Sequence, residues 1–157
     1  MTEKHQPGGI NGYCYPILLV CLSLVCIALV FGCANDNNAV AEEFLQKLYT
    51  IDEILPFEPT ETAIDTRYQF AKEAMTESAY SRALKNRDLL VAWSYSADNN
   101  CRLKVDKITE VEPVYGGGTQ RYEITLSGSS ILEVTVDLRV DDNGKIAYFQ
   151  PDITQLH

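Results

Sequence analysis

The apolar residues of this chain follow three successive patterns. A continuous apolar run covers residues 17–32, helical spacing extends from residue 39 to residue 86, and apolar and polar residues alternate from residue 88 onward. Apolar residues that recur every three or four positions mark one face of a helix, whereas alternation marks a strand with one buried face. The order predicts an apolar leader, then helices, then a sheet.

Three amphipathic helices are predicted in the middle of the chain. The first covers residues 39–49, the second opens at residues 60–65, and the third covers residues 77–86. Pro56 and Pro59 separate the first two helices, because proline lacks the amide proton that a helix interior requires. The residues expected to face the core are Val40, Phe44, Leu45, Leu48, Tyr68, Ala71, Met75, Tyr80, Ala83 and Leu84.

Five strands are predicted after the helices, at residues 89–96, 101–111, 120–126, 133–141 and 145–149. The first would place Val91, Trp93 and Tyr95 on one face. The Asn143-Gly144 pair is typical of the tight turn of a hairpin. Helices followed by an antiparallel meander predict an α+β fold, with N-terminal helices packed on one face of a curved antiparallel sheet.

Composition and charge narrow the possible chemistry. The chain has 157 residues, of which 46% are hydrophobic and 22% are charged, as in a single globular domain. Lys and Arg number 13 against 22 Asp and Glu, and the net charge of -9 argues against nucleic acid as a partner. The two histidines, His5 and His157, lie near the ends, so we expect no histidine base or metal site inside the domain.

Glycine-containing motifs point to connections between strands. Residues 116–118 are three glycines but lack the Gly-Lys-Ser/Thr of a phosphate-binding loop. Residues 141–144 carry two aspartates without the alternating ligands and closing glutamate of a calcium loop. We therefore expect no cofactor, no metal and no catalytic residue in these loops.

The apolar run from Ile17 to Gly32 contains 16 residues. A helix of that length covers about 24 Å, less than the roughly 30 Å of a bilayer's hydrocarbon core. The core of a secretory signal peptide fits this length better than a membrane span does. Lys4 precedes the run, and Asp36 is the first charged residue after it, so we expect the amino terminus in the cytosol.

The end of the run, Val30-Phe31-Gly32-Cys33, resembles the lipobox of bacterial lipoproteins. The resemblance implies cleavage between Gly32 and Cys33 and a diacylglyceryl thioether on the Cys33 sulfur, carrying acyl chains such as palmitate. Two acyl chains hold a protein at a membrane stably, whereas one holds it only reversibly. The alternative is an uncleaved anchor, and both interpretations place the domain outside the cytoplasm, at the cell membrane.

These observations predict four parts of the chain. Residues 1–32 form a lipoprotein signal peptide, residues 33–38 the lipidated cysteine and a short tether, residues 39–150 the α+β domain, and residues 151–157 a tail. If Cys33 is acylated, Cys101 is the only thiol left in the mature chain. It has no cysteine with which to form an intramolecular disulfide.

The order of the elements, with the patterns around Phe44-Leu45, Met75-Thr76-Glu77 and Gly144-Lys145-Ile146, resembles the nuclear-transport-factor-2-like, or cystatin-like, superfamily. The resemblance covers about residues 38–150 and implies a sheet that curls around the first helix into a cone with a pocket. Members include isomerases, dehydratases, and peptide-binding and assembly modules, so the fold does not choose a function.

Aromatic residues are the candidates for lining such a pocket: Tyr68, Trp93, Tyr95 and Tyr122. Asp106, Glu123 and Asp137 alternate out of phase with the apolar strand positions, so no inward carboxylate is expected. The leading hypothesis is a membrane-anchored, extracytoplasmic, non-catalytic module that binds an envelope protein, a peptide or a small apolar ligand. The alternative is a small isomerase or dehydratase that uses a tyrosine and carboxylate pair. A cystatin-like protease inhibitor would need a glycine-rich inhibitory hairpin, which we do not recognise here.

Overall fold

A computed structural model of the chain describes residues 37–112 and 118–152, which are called the described residues below. The chain divides between Asp36 and Asn37 into two units, and every described residue belongs to the second. The predicted signal peptide, Cys33, the first two glycines of the 116–118 loop and residues 153–157 lie outside the described residues. Within the described part, no helix combines the length and apolar content needed to cross a membrane.

Helix α1 covers residues 37–49 and buries one stripe of side chains, which confirms the first predicted helix. Phe44, Leu45 and Leu48 are buried, whereas Glu43 and Lys47 lie on the exposed face and form an ion pair of 2.7 Å. The apolar positions three and four residues apart form the stripe that faces the core.

Three short helices follow, one more than predicted, with bounds at Glu61–Arg67 (α2), Gln69–Ala74 (α3) and Glu77–Lys85 (α4). Thr60 and Thr76 begin α2 and α4, because each hydroxyl accepts a hydrogen bond of 3.3 Å from an amide in the first turn. Tyr68 has a non-helical backbone conformation and separates α2 from α3. The predicted second helix is therefore two helices.

The predicted first strand, residues 89–96, is wrong: this segment is helical. A 3-10 turn at Asp88–Leu90 continues into helix α5 at Val91–Asp98. Trp93 is buried, but Val91 and Tyr95 are only half-buried, because residues two apart lie on nearly opposite sides of a helix. The buried residues of the segment are Leu89, Leu90, Ala92, Trp93 and Ser96.

The sheet has four antiparallel strands in the order β1-β2-β3-β4, with bounds at Lys104–Val111 (β1), Gln120–Ser127 (β2), Ile131–Val140 (β3) and Ile146–Asp152 (β4). These match the last four predicted strands. The last one extends two residues beyond the predicted domain end at residue 150. Bulges interrupt the register between Val105 and Lys107 and between Arg139 and Val140, and such bulges bend a strand.

One face of the sheet is buried by the helices. Its buried residues are Val105, Tyr122, Ile124, Leu126, Val134, Val136, Leu138, Ile146 and Phe149. Phe44 of α1 meets Phe149 of β4 edge to face, with ring centroids 5.6 Å apart. The Thr76 amide donates to the Ile146 carbonyl at 3.0 Å and joins the start of α4 to β4. The chain is therefore an α+β protein in which helices precede an antiparallel meander.

The hairpin between β3 and β4 forms at the predicted Asn143-Gly144 pair. Gly144 has a φ of 71°, a left-handed conformation that glycine adopts without a side-chain clash. The Asp141 carboxylate accepts hydrogen bonds of 2.9 Å from the amides of Asn143 and Lys145. These bonds hold the pKa of Asp141 below its ordinary value. Asp141 thus serves the turn itself.

Candidate functional site

The predicted lipid-attachment residue, Cys33, lies outside the described residues, so lipidation stays a prediction. Cys101 is half-buried between α5 and β1 and is a free thiol. The Ser96 hydroxyl donates to the Cys101 carbonyl at 2.6 Å, which joins the end of α5 to the chain entering the sheet. The Cys101 side chain itself packs against the buried core.

Tyr122 lies at the centre of the buried sheet face, on β2, and its side chain is fully buried. Its hydroxyl donates a hydrogen bond of 2.7 Å to the Asn38 side-chain oxygen at the start of α1. Burial raises the pKa of Tyr122, and the nearby carboxylates of Glu110 and Glu42 raise it further. Tyr122 therefore connects the sheet to the first turn of α1.

Trp93 is buried in α5, and residues of the preceding loop and helix cover it. Its indole nitrogen donates to the Leu55 carbonyl at 3.3 Å. The Phe57 ring meets the indole edge to face at 5.1 Å, and the Arg67 guanidinium lies 5.2 Å from its centre. Such aromatic and cation–π contacts stabilise packing. Trp93 thus holds the 52–60 loop against the helices.

Tyr68 and Tyr95 do not complete a pocket with Trp93 and Tyr122. Tyr68 is buried beside Tyr49, at the end of α1, whereas Tyr122 contacts Asn38 at its start. Eleven residues of helix place those two ends about 16 Å apart. Tyr95 is half-buried on α5 and packs against the core. The structure therefore distributes the four predicted pocket residues over several packing sites.

Three buried tyrosine hydroxyls have no hydrogen-bond partner among the described residues: those of Tyr49, Tyr68 and Tyr80. Burial raises the pKa of Tyr68 to about 12, while the charge of Arg67 acts in the opposite direction. Burial also raises the pKa of Tyr49, and the Asp88 carboxylate adds to that rise.

Asp88 is a half-buried carboxyl whose pKa is raised by burial, against the lowering effects of Asn86 and Arg82. Sequence reasoning missed the Asp88 and Tyr49 neighbourhood because it placed Asp88 before a strand. When residues 88–98 are helical, Leu89 and Leu90 lie in the core and the adjacent Asp88 lies at the edge of the core. The pair of leucines directly after Asp88 is the sequence signal that could have indicated a partly buried carboxyl here.

A groove of about 440 Å³ lies at the surface between α1 and the edge strand β1. Val105 and Ile108 contribute apolar surface, and three of the lining side chains are acidic: Glu42, Glu43 and Asp106. The lining residues are Ala39, Glu42, Glu43, Gln46, Val105, Asp106, Lys107 and Ile108. The groove therefore combines apolar surface with a mainly acidic rim, in which Lys107 is the one basic lining residue and Lys47 pairs with Glu43 at 2.7 Å.

No group of three or more histidine, cysteine, aspartate or glutamate residues within 37–112 and 118–152 is placed to hold a metal ion. Comparison of the chain with protein-family models, curated proteins and solved structures finds no match. The chemistry of the site therefore rests on the geometry above.

Proposed function

We propose that this chain is an extracytoplasmic lipoprotein, anchored to the cell membrane through a diacylglyceryl group on Cys33. Its folded domain, residues 37–152, acts as a non-catalytic binding or envelope-assembly module. The apolar run, the Val30–Cys33 pattern and the polar residues 35–38 support the anchor. The partner would be an envelope protein, a peptide or a small apolar molecule.

The main support for binding at the surface, and not inside the domain, is the way the predicted pocket residues are packed. Tyr122 and Trp93 are both buried, and the polar atom of each bonds to the protein itself. A ligand inside the domain would have to displace these contacts. The groove between α1 and β1 is already open and requires no such displacement.

We also propose that the domain is a variant of the nuclear-transport-factor-2-like fold. A long first helix, shorter helices and an antiparallel meander with two bulges are compatible with that fold. The helix at residues 91–98 is a departure from the order that the resemblance implied, whereas a four-stranded sheet lies within its four or five strands.

Metabolic labelling with an alkyne fatty acid tests the anchor in the native host. We expect the wild-type chain to carry the label, to fractionate with membranes and to have lost 32 residues, leaving 125 of 157. Cys33→Ser should abolish both labelling and cleavage, whereas the matched control Cys26→Ser should retain both. A full-length chain with an unmodified Cys33 thiol, found by mass spectrometry of the membrane fraction, would refute the proposal.

The second candidate is a small isomerase or dehydratase, and the Asp88 and Tyr49 neighbourhood is the observation that favours it. A carboxyl with a raised pKa beside a buried tyrosine is a known arrangement for acid–base chemistry. Tyr49, however, is only 1% exposed, so a substrate would have to open the core to reach it.

Nitration of tyrosine rings in the folded protein separates the two candidates. An enzyme must admit a substrate to Tyr49, so peptide mass spectrometry should find Tyr49 nitrated nearly as fast as the more accessible Tyr148. A binding module that uses its surface should protect Tyr49 as fully as Tyr122. Rapid nitration of Tyr49 with Tyr122 still protected would favour the enzyme.

A further inference from the structure

β1 is an edge strand, because the order of the sheet gives it one neighbour, β2. At the start of its other side, Ile51 pairs with Leu103 in the antiparallel sense. The Ile51 amide donates to the Leu103 carbonyl at 2.8 Å, and the Leu103 amide donates to the Ile51 carbonyl at 3.1 Å. The extended segment at Ile51 thus already pairs with the start of this edge, at Leu103, over one residue.

The pairing of Leu103 determines which backbone groups of β1 point away from β2. Backbone groups alternate in direction along a strand, so those of Val105 point outward, as those of Leu103 do. The bulge between Val105 and Lys107 inserts one residue, after which Ile108 and Glu110 point outward. Within residues 37–112 and 118–152, the outward amides and carbonyls of these three residues have no backbone partner.

The groove described above runs along this same edge, with Glu42 of α1 opposite β1. Glu42 has no ion-pair partner among the described residues, and Asp106 meets Lys104 only at 3.5 Å on an exposed surface. Lys107 also lines the groove and Lys47 pairs with Glu43 at 2.7 Å, so the negative charge at this edge comes chiefly from Glu42 and Asp106. Glu110 adds a further carboxylate near Glu42, since both raise the pKa of Tyr122.

We propose that the outer edge of β1 binds an extended, lysine- or arginine-bearing segment of a partner protein as a fifth strand. Main-chain hydrogen bonds to Val105, Ile108 and Glu110 would supply affinity, and cationic side chains facing Glu42 and Asp106 would supply specificity. A second copy of this chain suits the edge less well, because each copy has a net charge of -9 and would bring its own acidic rim. This inference rests on the proposed binding module and names its partner.

Binding of designed peptides to the mature chain, purified from membranes in detergent, tests the proposal. The probe is a fluorescent decapeptide that alternates Lys and Thr, and its matched control alternates Glu and Thr. We expect the lysine peptide to bind with an affinity that falls as salt rises, and the glutamate peptide not to bind. Failure of the lysine peptide to bind would overturn the proposal.

Paired charge reversals locate the site. Glu42→Lys with Asp106→Lys should weaken binding about tenfold, because two attractive contacts become repulsive. Glu53→Lys with Glu58→Lys changes the net charge equally on an exposed loop and should leave the affinity unchanged. Equal affinity in the two double variants would overturn the proposal, since the peptide would then bind elsewhere.

Glu110→Pro compared with Glu110→Gln tests the main-chain hydrogen bonds, because both variants lose the Glu110 carboxylate and only the proline variant also loses the amide. Proline removes an outward amide without removing a bond to β2, so we expect about fivefold weaker binding than in Glu110→Gln, with an equal melting temperature. A chain that sediments as a dimer until this substitution is made would assign the edge to a second copy and would also overturn the proposal.

The experiments distinguish a failure of the edge site on β1 from a failure of the proposed lipoprotein module. Loss of the edge site leaves the labelling of Cys33 and the protection of Tyr49 as expected, so the lipoprotein module stands without this partner. An unlabelled Cys33 or a rapidly nitrated Tyr49 contradicts the proposed function whatever the peptides do.

Discussion

The same chemical change at two buried tyrosines should have opposite effects on stability. Tyr122→Phe and Tyr49→Phe each remove one hydroxyl and keep the ring that fills the core. The Tyr122 hydroxyl donates a 2.7 Å hydrogen bond to Asn38, whereas the Tyr49 hydroxyl has no partner among the described residues. Both side chains are at most 1% exposed, so the difference in burial is negligible.

The magnitudes follow from the hydrogen bonds. An intramolecular hydrogen bond contributes about 1 kcal/mol net, so Tyr122→Phe should lower the free energy of unfolding by about that amount. Burying a hydroxyl without a partner costs about 1 to 3 kcal/mol, so Tyr49→Phe should raise the free energy of unfolding by about 1 kcal/mol. We expect the two variants to differ from each other by about 2 kcal/mol.

Urea denaturation of the two variants and the wild type at pH 7, followed by the fluorescence of Trp93, measures both changes. Equal slopes of free energy against urea would show that the variants unfold in the same way as the wild type. A Tyr49→Phe variant that is less stable than the wild type would refute the reasoning, because it would show that the Tyr49 hydroxyl is bonded. A neutral Tyr122→Phe would show that its bond to Asn38 contributes nothing.

Three further predictions concern pH, an ion pair and a turn. The folded state holds the pKa of Tyr122 and Tyr49 above the ordinary value of 10.0. The stability gained by keeping both hydroxyls neutral is therefore complete below pH 10 and is lost as the pH rises through the folded pKa. The free energy of unfolding should accordingly fall less steeply with alkaline pH for Tyr122→Phe than for the wild type. Asp137→Ala removes the two hydrogen bonds that Arg121 donates to the Asp137 carboxylate, at 2.7 and 2.8 Å on a partly covered sheet face. Thermal melting should show a free energy of unfolding that is lower by about 1 kcal/mol. An unchanged stability would contradict this role of the ion pair. Gly144→Ala should cost about 1 kcal/mol from its φ of 71° alone, since no atom lies within 4 Å of the added methyl group; a neutral result by urea denaturation would show that the turn relaxes.

Strong periodicity made part of the fold predictable. α1 carries large apolar residues at three- and four-residue spacing, and β3 alternates through Val134, Val136 and Leu138, so only one secondary structure buries each set. Residues 88–98 were mispredicted because Trp93 and Tyr95 resemble strand alternation, while the small residues Ala92 and Ser96 that complete the buried helical face carry little hydrophobic signal.

The candidate site was less predictable than the fold. The aromatic character of Tyr122 and its position on the inner sheet face were readable from the sequence. Its hydrogen bond to Asn38 joins residues 84 positions apart and depends on how α1 crosses the sheet. The groove likewise requires α1 and β1 to be side by side, which no local pattern specifies.

The contact between Tyr122 and Asn38 has a mechanical consequence. A pull applied to the chain ahead of residue 37 arrives first at the opening turn of α1, where a helix by itself frays most readily. The hydrogen bond between Tyr122 and Asn38 transmits that force to β2, a strand that is hydrogen-bonded to a neighbour on each side. The first turn of α1 should therefore resist unravelling until this hydrogen bond breaks. The domain is thus fastened at its point of entry, and tension there is shared by the sheet.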